Sequence, residues 1–217
     1  MALQVAVVDY GIGNLFSVRR ALEHCGADVT ISEDPATLLD APRLILPGVG
    51  AFANGMQGLA ERGLDEVVLE FARLGKPLLG VCLGMQMLMD VSHEFGRHSG
   101  LGIISGQVNE IPAIEDPAAK VPNVGWVELE RPDGLASWDG AILEGLETGD
   151  AVYIVHSFAV TPEDPAHRLA NYDYFGIKVS AAIRSGHVYG TQFHPEKSGL
   201  IGLRILANFL TCGEGNS

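Results

Sequence analysis

The sequence predicts an α/β fold in which a mostly parallel central sheet is flanked by helices and carries an added antiparallel segment. In the first half, continuous apolar runs alternate with segments whose apolar residues recur at helical spacing. Continuous apolar strands are typical of parallel sheets that are covered on both faces. In the second half, strand-like runs follow one another with few helical segments between them. The length of 217 residues suits one domain, so we expect a single domain over residues 1–217.

The first strand and helix follow from the pattern at the N-terminus. The apolar run 3–8 predicts a strand, and Asp9 interrupts it before a glycine-rich turn. Leu15, Val18 and Leu22 then recur on one helical face. An apolar run that ends so early lacks the length of a secretory signal peptide.

The later elements are predicted in the same way. The rest of the first half gives a strand at 44–46, a helix over 64–71 closed by Gly75, a strand at 78–81 and a helix over 83–91. The second half gives strands at 124–129, 152–155, 179–183 and 188–193, and a last helix carrying Leu203, Leu206 and Phe209. Residues 112–122 include three prolines and are linker-like.

Composition excludes several classes of function. The formal net charge is −13 at pH 7, whereas binding a nucleic-acid backbone needs clustered Lys and Arg. No apolar run in the sequence approaches membrane-spanning length. Cys25, Cys82 and Cys212 are odd in number and widely spaced, which indicates neither a disulfide framework nor a zinc site. We therefore expect a cytoplasmic protein that binds neither nucleic acid nor membranes.

Gly11 and Gly13 match only part of a dinucleotide-binding motif. The full motif needs a third glycine where this chain has Phe16, and an acidic residue about 20 positions on, which Asp28 matches only loosely. The alternative that we favour is a tight turn before a helix capped by Asn14. The histidines lack the spacing of metal ligands. We therefore expect no cofactor and no metal.

Two short motifs carry the candidate chemistry. Residues 80–84 read Gly-Val-Cys-Leu-Gly and place Cys82 in a glycine-flanked turn between a strand and a helix. Residues 192–198 read Gln-Phe-His-Pro-Glu-Lys-Ser and offer His194 at the end of another strand, with Glu196 nearby. A nucleophile, a base and a carboxylate that orients the base make up an activated cysteine. The motifs therefore predict acyl transfer, and the alternative for the cysteine is a buried packing role.

With these motifs the chain resembles the triad class of glutamine amidotransferases and, more narrowly, the glutaminase subunit family of imidazole glycerol phosphate synthase. The narrower resemblance rests on residues 9–15 (Asp-Tyr-Gly-Ile-Gly-Asn-Leu), 47–52 (Pro-Gly-Val-Gly-Ala-Phe) and 155–157 (Val-His-Ser). It runs from about residue 3 to about residue 210 and implies a class I glutamine amidotransferase-like, flavodoxin-like fold. It also implies hydrolysis of glutamine to glutamate and ammonia by a Cys-His-Glu triad.

The resemblance further implies residues that bind the substrate and the partner. The oxyanion donors would be the N–H of Leu83 and one from Gly48, Val49 and Gly50, a strand that turns over when the partner is loaded. The implied contacts to glutamine are Gln86, Glu94, His156, Ser157 and Phe158, and the implied partner-facing residues are Asn14, Trp126, Tyr153 and Lys197. The alternatives are ordinary exposed positions for Gln86 and Glu94 and core packing for Trp126 and Tyr153.

The implied partner is a cyclase subunit with a (β/α)₈ barrel, which would use the ammonia to make imidazole glycerol phosphate in histidine biosynthesis. The chain is too short to hold such a barrel as well. One segment departs from the family, which usually reads Pro-His-Met-Gly-Trp-Asn where residues 122–127 read Pro-Asn-Val-Gly-Trp-Val. The departure leaves open a paralogous subunit that feeds another synthase. A stand-alone cysteine amidase or γ-glutamyl peptidase is also compatible with the motifs, as is a catalytically silent scaffold.

Overall fold

The computed structural model describes residues 3–213, which form a mixed α/β structure. The strands are β1 (Leu3–Val8), β2 (Ala27–Ser32), β3 (Leu44–Leu46), β4 (Leu78–Val81), β5 (Val91–Ser92), β6 (His98–Ser99), β7 (Gly106–Glu110), β8 (Asn123–Glu128), β9 (Ala151–His156), β10 (Phe158–Pro162), β11 (Arg168–Tyr174), β12 (Ile177–Ser185) and β13 (Val188–Thr191). The helices are α1 (Leu15–His24), α2 (Pro35–Asp40), α3 (Phe52–Ala60), α4 (Leu64–Arg73), α5 (Leu83–Met87) and α6 (Gly199–Thr211). Two 3₁₀ turns span Pro165–His167 and Pro195–Lys197.

The largest sheet has seven strands in the order β11-β12-β13-β4-β3-β1-β2. The five strands from β13 to β2 are parallel to one another, and β11 and β12 extend the β13 edge as antiparallel strands. A four-stranded sheet, β10-β7-β5-β6, and a two-stranded ribbon of β8 and β9 complete the described part of the chain. The predicted α/β fold with a mostly parallel sheet is therefore confirmed.

Side chains of the parallel strands alternate between two apolar cores. In β1, Val5 and Val7 face the core that includes α1 and α6, whereas Ala6 and Val8 face the core that includes α3 and α4. This is the arrangement expected of a sheet that is covered by helices on both faces. It explains why these strands appear in the sequence as unbroken apolar runs. None of the helices between residues 3 and 213 has both the length and the apolar character that crossing a membrane requires.

The helix predicted over residues 83–91 is wrong in length, because α5 ends at Met87. The backbone N–H of Leu101 donates to the Met87 carbonyl at 2.8 Å, and that of Ile103 donates to the Leu88 carbonyl at 2.9 Å. These bonds take the carbonyl groups that further helical turns would use. Residues 83–89 are buried on every side, so their apolar pattern contained no sign of the helix end.

The register of the sheet brings the two sequence motifs together. Strand β13 lies parallel to β4, with Thr191 opposite Val81. The residues that follow these two strands therefore leave the same carboxyl edge of the sheet side by side. In open α/β sheets this edge is where ligands bind.

Candidate active site

Cys82 occupies a strained turn between β4 and α5. Its φ of 55° and ψ of −110° lie in a region that residues other than glycine rarely adopt. A Cβ atom added at Gly84 would lie 1.8 Å from the carbonyl oxygen of Leu46, and one added at Gly80 would lie 2.7 Å from the backbone of Gly84. The glycines on both sides of the cysteine thus allow the strand and the helix to approach each other. This is the glycine-flanked turn that the sequence predicted.

His194 and Glu196 form a buried pair. Nδ1 of His194 lies 2.8 Å from Oε1 of Glu196, and each side chain is 2% exposed. Burial acts to lower the pKa of His194, but hydrogen bonding and charge interactions with Cys82 and Glu196 outweigh it and raise the pKa to about 9. The pair therefore favours an imidazolium next to the thiol. An imidazolium in this position stabilises a thiolate.

Hydrogen bonds join the backbone of His194 to strand β9. The N–H of His194 donates to the carbonyl of Tyr153 at 2.9 Å. The hydroxyl of Ser198 donates to the carbonyl of His194 at 2.7 Å and accepts the N–H of Tyr153 at 3.0 Å. These three bonds fix the position of the base relative to the β8–β9 ribbon.

Cys82 and His194 line a pocket of about 350 Å³ at the carboxyl edge of the sheet. A pocket of this size suits a small polar ligand such as a free amino acid. Because Glu196 engages Nδ1 of His194, Nε2 is the ring nitrogen that interacts with Cys82 and is available for proton transfer. The other lining residues are Val49, Gly50, Leu83, Gln86, Glu94, Phe95, Pro122, Val155, His156, Ser157 and Phe158.

Val49 and Gly50 line part of the pocket, and Gly48 precedes them but does not line it. The Tyr10 hydroxyl donates to the Pro47 carbonyl at 2.7 Å and fixes the start of this segment. A Cβ atom at Gly48 would lie 2.6 Å from that hydroxyl oxygen. Farther along, Val49 is 38% exposed, and Gly50 has a φ of +96° with nothing within 4 Å of an added Cβ. The segment is therefore anchored at one end and open at the other.

Gln86 and Glu94 both lie at the pocket. Gln86 is only 6% exposed, and its Nε2 donates to the Phe158 carbonyl at 3.0 Å and to Oε1 of Gln192 at 3.1 Å. Oε2 of Glu94 accepts the N–H of Phe52, the first residue of α3, at 2.5 Å. The alternative of an ordinary exposed position is therefore wrong for Gln86. Glu94 is half-buried and caps the helix that follows the glycine-rich segment.

A chain of hydrogen bonds runs from the β8–β9 ribbon to the pocket. Nδ1 of His156 donates to the Phe158 carbonyl at 2.9 Å, and its Nε2 accepts from the Tyr172 hydroxyl at 3.0 Å. Tyr172 in turn accepts from Nδ2 of Asn123 at 3.3 Å. Burial is the main cause that lowers the pKa of His156 to about 4, so the ring is neutral and has one donor and one acceptor. Ser157 lies between His156 and Phe158 in the sequence, and all three residues line the pocket.

Sequence reasoning missed three side chains at this site: Tyr10, Tyr172 and Gln192. Tyr10 and Gln192 lie inside the sequence motifs described above, but no spacing rule links either of them to the cysteine. Tyr172 belongs to β11, a strand that was not predicted. Only knowledge of the strand order, in which β13 lies beside β4, could have placed Gln192 next to Cys82.

The four residues that the family resemblance assigns to a partner lie on or near the ribbon and α1. Trp126 is 60% exposed and packs edge-on against Tyr153, with ring centroids 6.0 Å apart. Nζ of Lys197 lies 6.0 Å from the centroid of the Tyr153 ring. The core-packing alternative is therefore wrong for Trp126. Asn14 caps α1 by accepting the N–H of Ser17 at 3.4 Å, as expected of a tight turn before a helix.

A larger cavity of about 810 Å³ lies at the other end of the strands. Its lining includes Pro77 before β4 and His187 before β13. It contains none of the predicted site residues, so size alone does not identify the functional pocket.

Comparison with known proteins gives a consistent result. Residues 6–212 match the family model "Glutamine amidotransferase class-I". The chain is 46% identical over 208 residues to "Imidazole glycerol phosphate synthase subunit HisH 1" of Legionella pneumophila (strain Lens), covering 95% of this chain and 98% of that protein. It is 45% identical over 213 residues to the HisH subunit of Geobacillus sp. (strain WCH70), covering 97% and 98%.

Solved structures support the fold. "Crystal structure of glutamine amidotransferase" aligns with a TM-score of 0.71 at 20% identity and covers 95% of this chain and 96% of that chain. "Structure of PurLQS from Thermotoga maritima" aligns with a TM-score of 0.70 at 23% identity and covers 97% and 98%.

Proposed function

Because the chain belongs to the class-I glutamine amidotransferase family, we propose that it is the glutaminase subunit of an imidazole glycerol phosphate synthase. In this proposal it hydrolyses glutamine in the cytoplasm and passes ammonia to a cyclase subunit. The observation that carries the proposal is the geometry of the pocket. A cysteine in a strained turn shares this pocket with a buried histidine whose other ring nitrogen lies 2.8 Å from a carboxylate.

Each triad residue has a step that its position supports. The Cys82 thiolate attacks the side-chain amide carbon of glutamine and forms a tetrahedral intermediate. The His194 imidazolium gives its proton to the amide nitrogen, and ammonia leaves as the γ-glutamyl thioester forms. His194 then takes a proton from water, which attacks the thioester and releases glutamate and the thiolate. Glu196 holds the imidazole with Nε2 facing the reaction and stabilises the imidazolium.

The tetrahedral intermediate carries an oxyanion that needs donors placed in advance. The backbone N–H of Leu83, the first residue of α5, has no acceptor within its own helix and is one candidate. The second is an N–H of the segment from Gly48 to Gly50. Loss of one such donor lowers kcat by roughly a hundred- to a thousandfold in other enzymes. The open end of the segment at Gly50 would let a bound partner control this donor.

The remaining pocket residues fit a free amino acid. Both hydrogens of Gln86 Nε2 are engaged, so only its Oε1 is left to accept a hydrogen bond from the substrate. Glu94 brings a carboxylate that could pair with the substrate α-amino group. Phe158 and Ser157 also line the pocket. A pocket lined by these two acceptor side chains favours a ligand that carries an ammonium group.

The ribbon supports the coupling to a partner. Trp126, Tyr153 and Lys197 form an exposed aromatic and cationic patch, and the backbone of Tyr153 binds that of His194. A cyclase that docks on this patch would therefore contact the strand that holds the catalytic base. Free ammonia is mostly protonated in neutral water, so hydrolysis is useful only when the acceptor site is close.

The test is the variant Cys82→Ser, assayed with a cyclase subunit and its ligand present. We expect glutamine-dependent synthesis to fall by at least about a thousandfold, while synthesis from added ammonium salt continues because the acceptor site is on the partner. Cys25→Ser is the matched control, since Cys25 lies outside the pocket. Residual glutaminase activity within about tenfold of the unaltered chain would contradict the assignment of Cys82.

A second measurement separates the proposed subunit from a stand-alone enzyme and from a paralogue. The rate of glutamine hydrolysis is compared with and without the cyclase and its ligand. Acceleration by the partner is expected of a coupled subunit, whereas equal rates would favour a stand-alone cysteine amidase. Acceleration by a different synthase, and not by the cyclase, would identify a paralogous subunit and would give the altered segment 122–127 a functional meaning.

A further inference from the structure

Gln192 is a buried side chain to which the triad mechanism gives no role. It is 0% exposed and follows β13 directly, and Thr191 at the end of β13 lies opposite Val81 in β4. Its position is therefore beside Cys82, the residue that follows Val81. Nε2 of Gln192 lies 3.7 Å from Sγ of Cys82, within the range of a hydrogen bond to sulfur.

The orientation of this amide follows from a fixed reference point. The carbonyl oxygen of Phe158 can only accept hydrogen bonds, so the atom of Gln86 that meets it at 3.0 Å must be the NH₂ group. The same NH₂ group lies 3.1 Å from the side chain of Gln192 and must meet its oxygen. The nitrogen of Gln192 is therefore the atom that faces the cysteine sulfur.

The Phe158 carbonyl oxygen, which is the reference for both amides, has a second donor. Nδ1 of the neutral His156 also donates to the Phe158 carbonyl, at 2.9 Å. Both lone pairs of that oxygen are thus in use, and each amide in the chain has one arrangement that satisfies all partners. Reversing Gln192 would place two NH₂ groups against each other and an oxygen against the thiolate.

We propose that Gln192 donates a hydrogen bond to the Cys82 thiolate and that Gln86 holds it in the orientation that makes this possible. The inference rests on the proposed role of Cys82 as the nucleophile. A donor aimed at sulfur stabilises the thiolate relative to the thiol. A hydrogen bond to a charged group corresponds to roughly a ten- to hundredfold change in such an equilibrium. Gln192 thus acts together with His194 to keep the nucleophile ionised.

The test uses Gln192→Glu on the full chain. This change preserves the shape and an oxygen for Gln86, but it replaces the donor with a carboxylate that repels a thiolate. The rate of alkylation of Cys82 by iodoacetamide is measured against pH by peptide mass spectrometry, with Cys25 in the same sample as the internal reference. We expect the profile of Cys82 to move to higher pH, with roughly a tenfold slower reaction at neutral pH, and that of Cys25 to stay in place.

Two further variants keep the result interpretable. Gln192→Met removes the donor without adding charge and should shift the profile in the same direction by less. Ser180→Ala removes a buried hydroxyl from neighbouring strand β12 and should leave the profile unchanged. If Gln192→Glu does not fold, as judged by circular dichroism, Gln192→Met alone decides. An unchanged Cys82 profile in the folded Gln192 variants would overturn the inference.

The outcome is distinguishable from failure of the proposed function. Alkylation reports the thiolate whether or not glutamine is the substrate. A shifted profile in a chain that does not hydrolyse glutamine would reject the proposed function and retain the role of Gln192. An unshifted profile in a chain that hydrolyses glutamine would retain the proposed function and reject the role of Gln192.

Discussion

The two segments that would stabilise the reaction differ in how tightly they are held. The turn at Cys82 is enclosed, since an added Cβ at Gly84 would lie 1.8 Å from a backbone oxygen. The segment that ends at Gly50 is open, since an added Cβ there would have nothing within 4 Å. Both segments follow neighbouring parallel strands, β4 and β3. The contrast therefore arises from packing around the two turns and not from their place in the sheet.

Under the proposed function, this difference matches two tasks that the pocket has to combine. A nucleophile has to stay within a few tenths of an ångström of its working geometry, and close packing provides this. A donor that is withheld until the partner is ready must have two positions of similar energy. Glycines serve both needs: at Gly84 the missing side chain allows contact, and at Gly50 it allows φ to be positive.

The largest expected effect on stability comes from breaking the enclosed turn. Gly84→Ala should lower the free energy of unfolding by about 3 kcal/mol or more, because neither Leu46 nor the strand it belongs to can move away. Gly50→Ala should lower it by only about 1–2 kcal/mol, the contribution of a side chain at positive φ. The measurement is chemical denaturation of both variants. Gly140→Ala, at φ +70° with nothing within 4 Å of the added Cβ, is the control for backbone strain alone.

The same pair of variants separates stability from activity. Gly50→Ala should stay folded but respond less to the partner, because the added side chain restricts rotation of the peptide. Equal losses of stability in Gly84→Ala and Gly50→Ala would show that the two turns do not differ as the packing suggests.

The next effect concerns the buried pair beside the enclosed turn. Glu196→Gln should lower kcat by roughly a hundred- to ten-thousandfold while leaving KM for glutamine nearly unchanged, because the carboxylate orients His194 and does not touch the substrate.

The same substitution should change how the stability of the chain depends on pH. The pKa of His194 is raised from 6.5 to about 9 in the folded chain. A raised pKa means that the folded state binds the proton more tightly, so its stabilising contribution is complete below pH 6.5 and is lost as the pH rises through about 9.

Thermal denaturation between these pH values provides the check. The unaltered chain should lose stability across the window, and Glu196→Gln should lose less because one cause of the raised pKa is gone. His194→Asn, which removes the titrating group, is the reference for the remaining pH dependence. A steep dependence that survives in Glu196→Gln but not in His194→Asn would assign the raised pKa to Cys82 and not to Glu196. One that survives in both variants would assign the effect to another group.

Features of the fold and the site that leave a local sequence pattern could be predicted, whereas features that depend on contacts between distant segments could not. Strands β1, β3, β4 and β13 of the parallel sheet and the turn at Cys82 were predicted, because buried strands and glycine-flanked turns leave local patterns. The edge strand β2 was not predicted, since polar residues interrupt its apolar ones and it is only partly buried. The end of α5 at Met87 was not predicted either, since segment 101–104 determines it by long-range backbone bonds. Gln192 and Tyr172 were missed for the same reason. Their partners lie on other strands, and no local pattern records strand order.

Glu94 was predicted as a contact to the substrate, and the structure adds a second role that the sequence could not reveal. Its carboxylate accepts the N–H of Phe52 at the start of α3, directly after the open segment. One side chain therefore lines the candidate pocket and also contacts the start of the helix that follows residues 48–50. An α-amino group that binds this carboxylate would either displace the N–H of Phe52 or share the carboxylate with it.

The smallest expected effect separates the two roles of Glu94. Glu94→Gln keeps an oxygen for the Phe52 N–H but removes the charge, so it should raise KM for glutamine by roughly tenfold with less change in kcat. Glu94→Ala removes both contacts and should also lower the free energy of unfolding by about 1 kcal/mol, as expected when a helix loses its cap. It should lower kcat further, because the start of α3, which directly follows the open segment, would lose its contact with Glu94. The measurements are steady-state kinetics with the partner present and denaturation of each variant. A pure kcat effect in Glu94→Gln would mean that the carboxylate acts on the segment and not on the substrate, and the open segment would then be held from both ends.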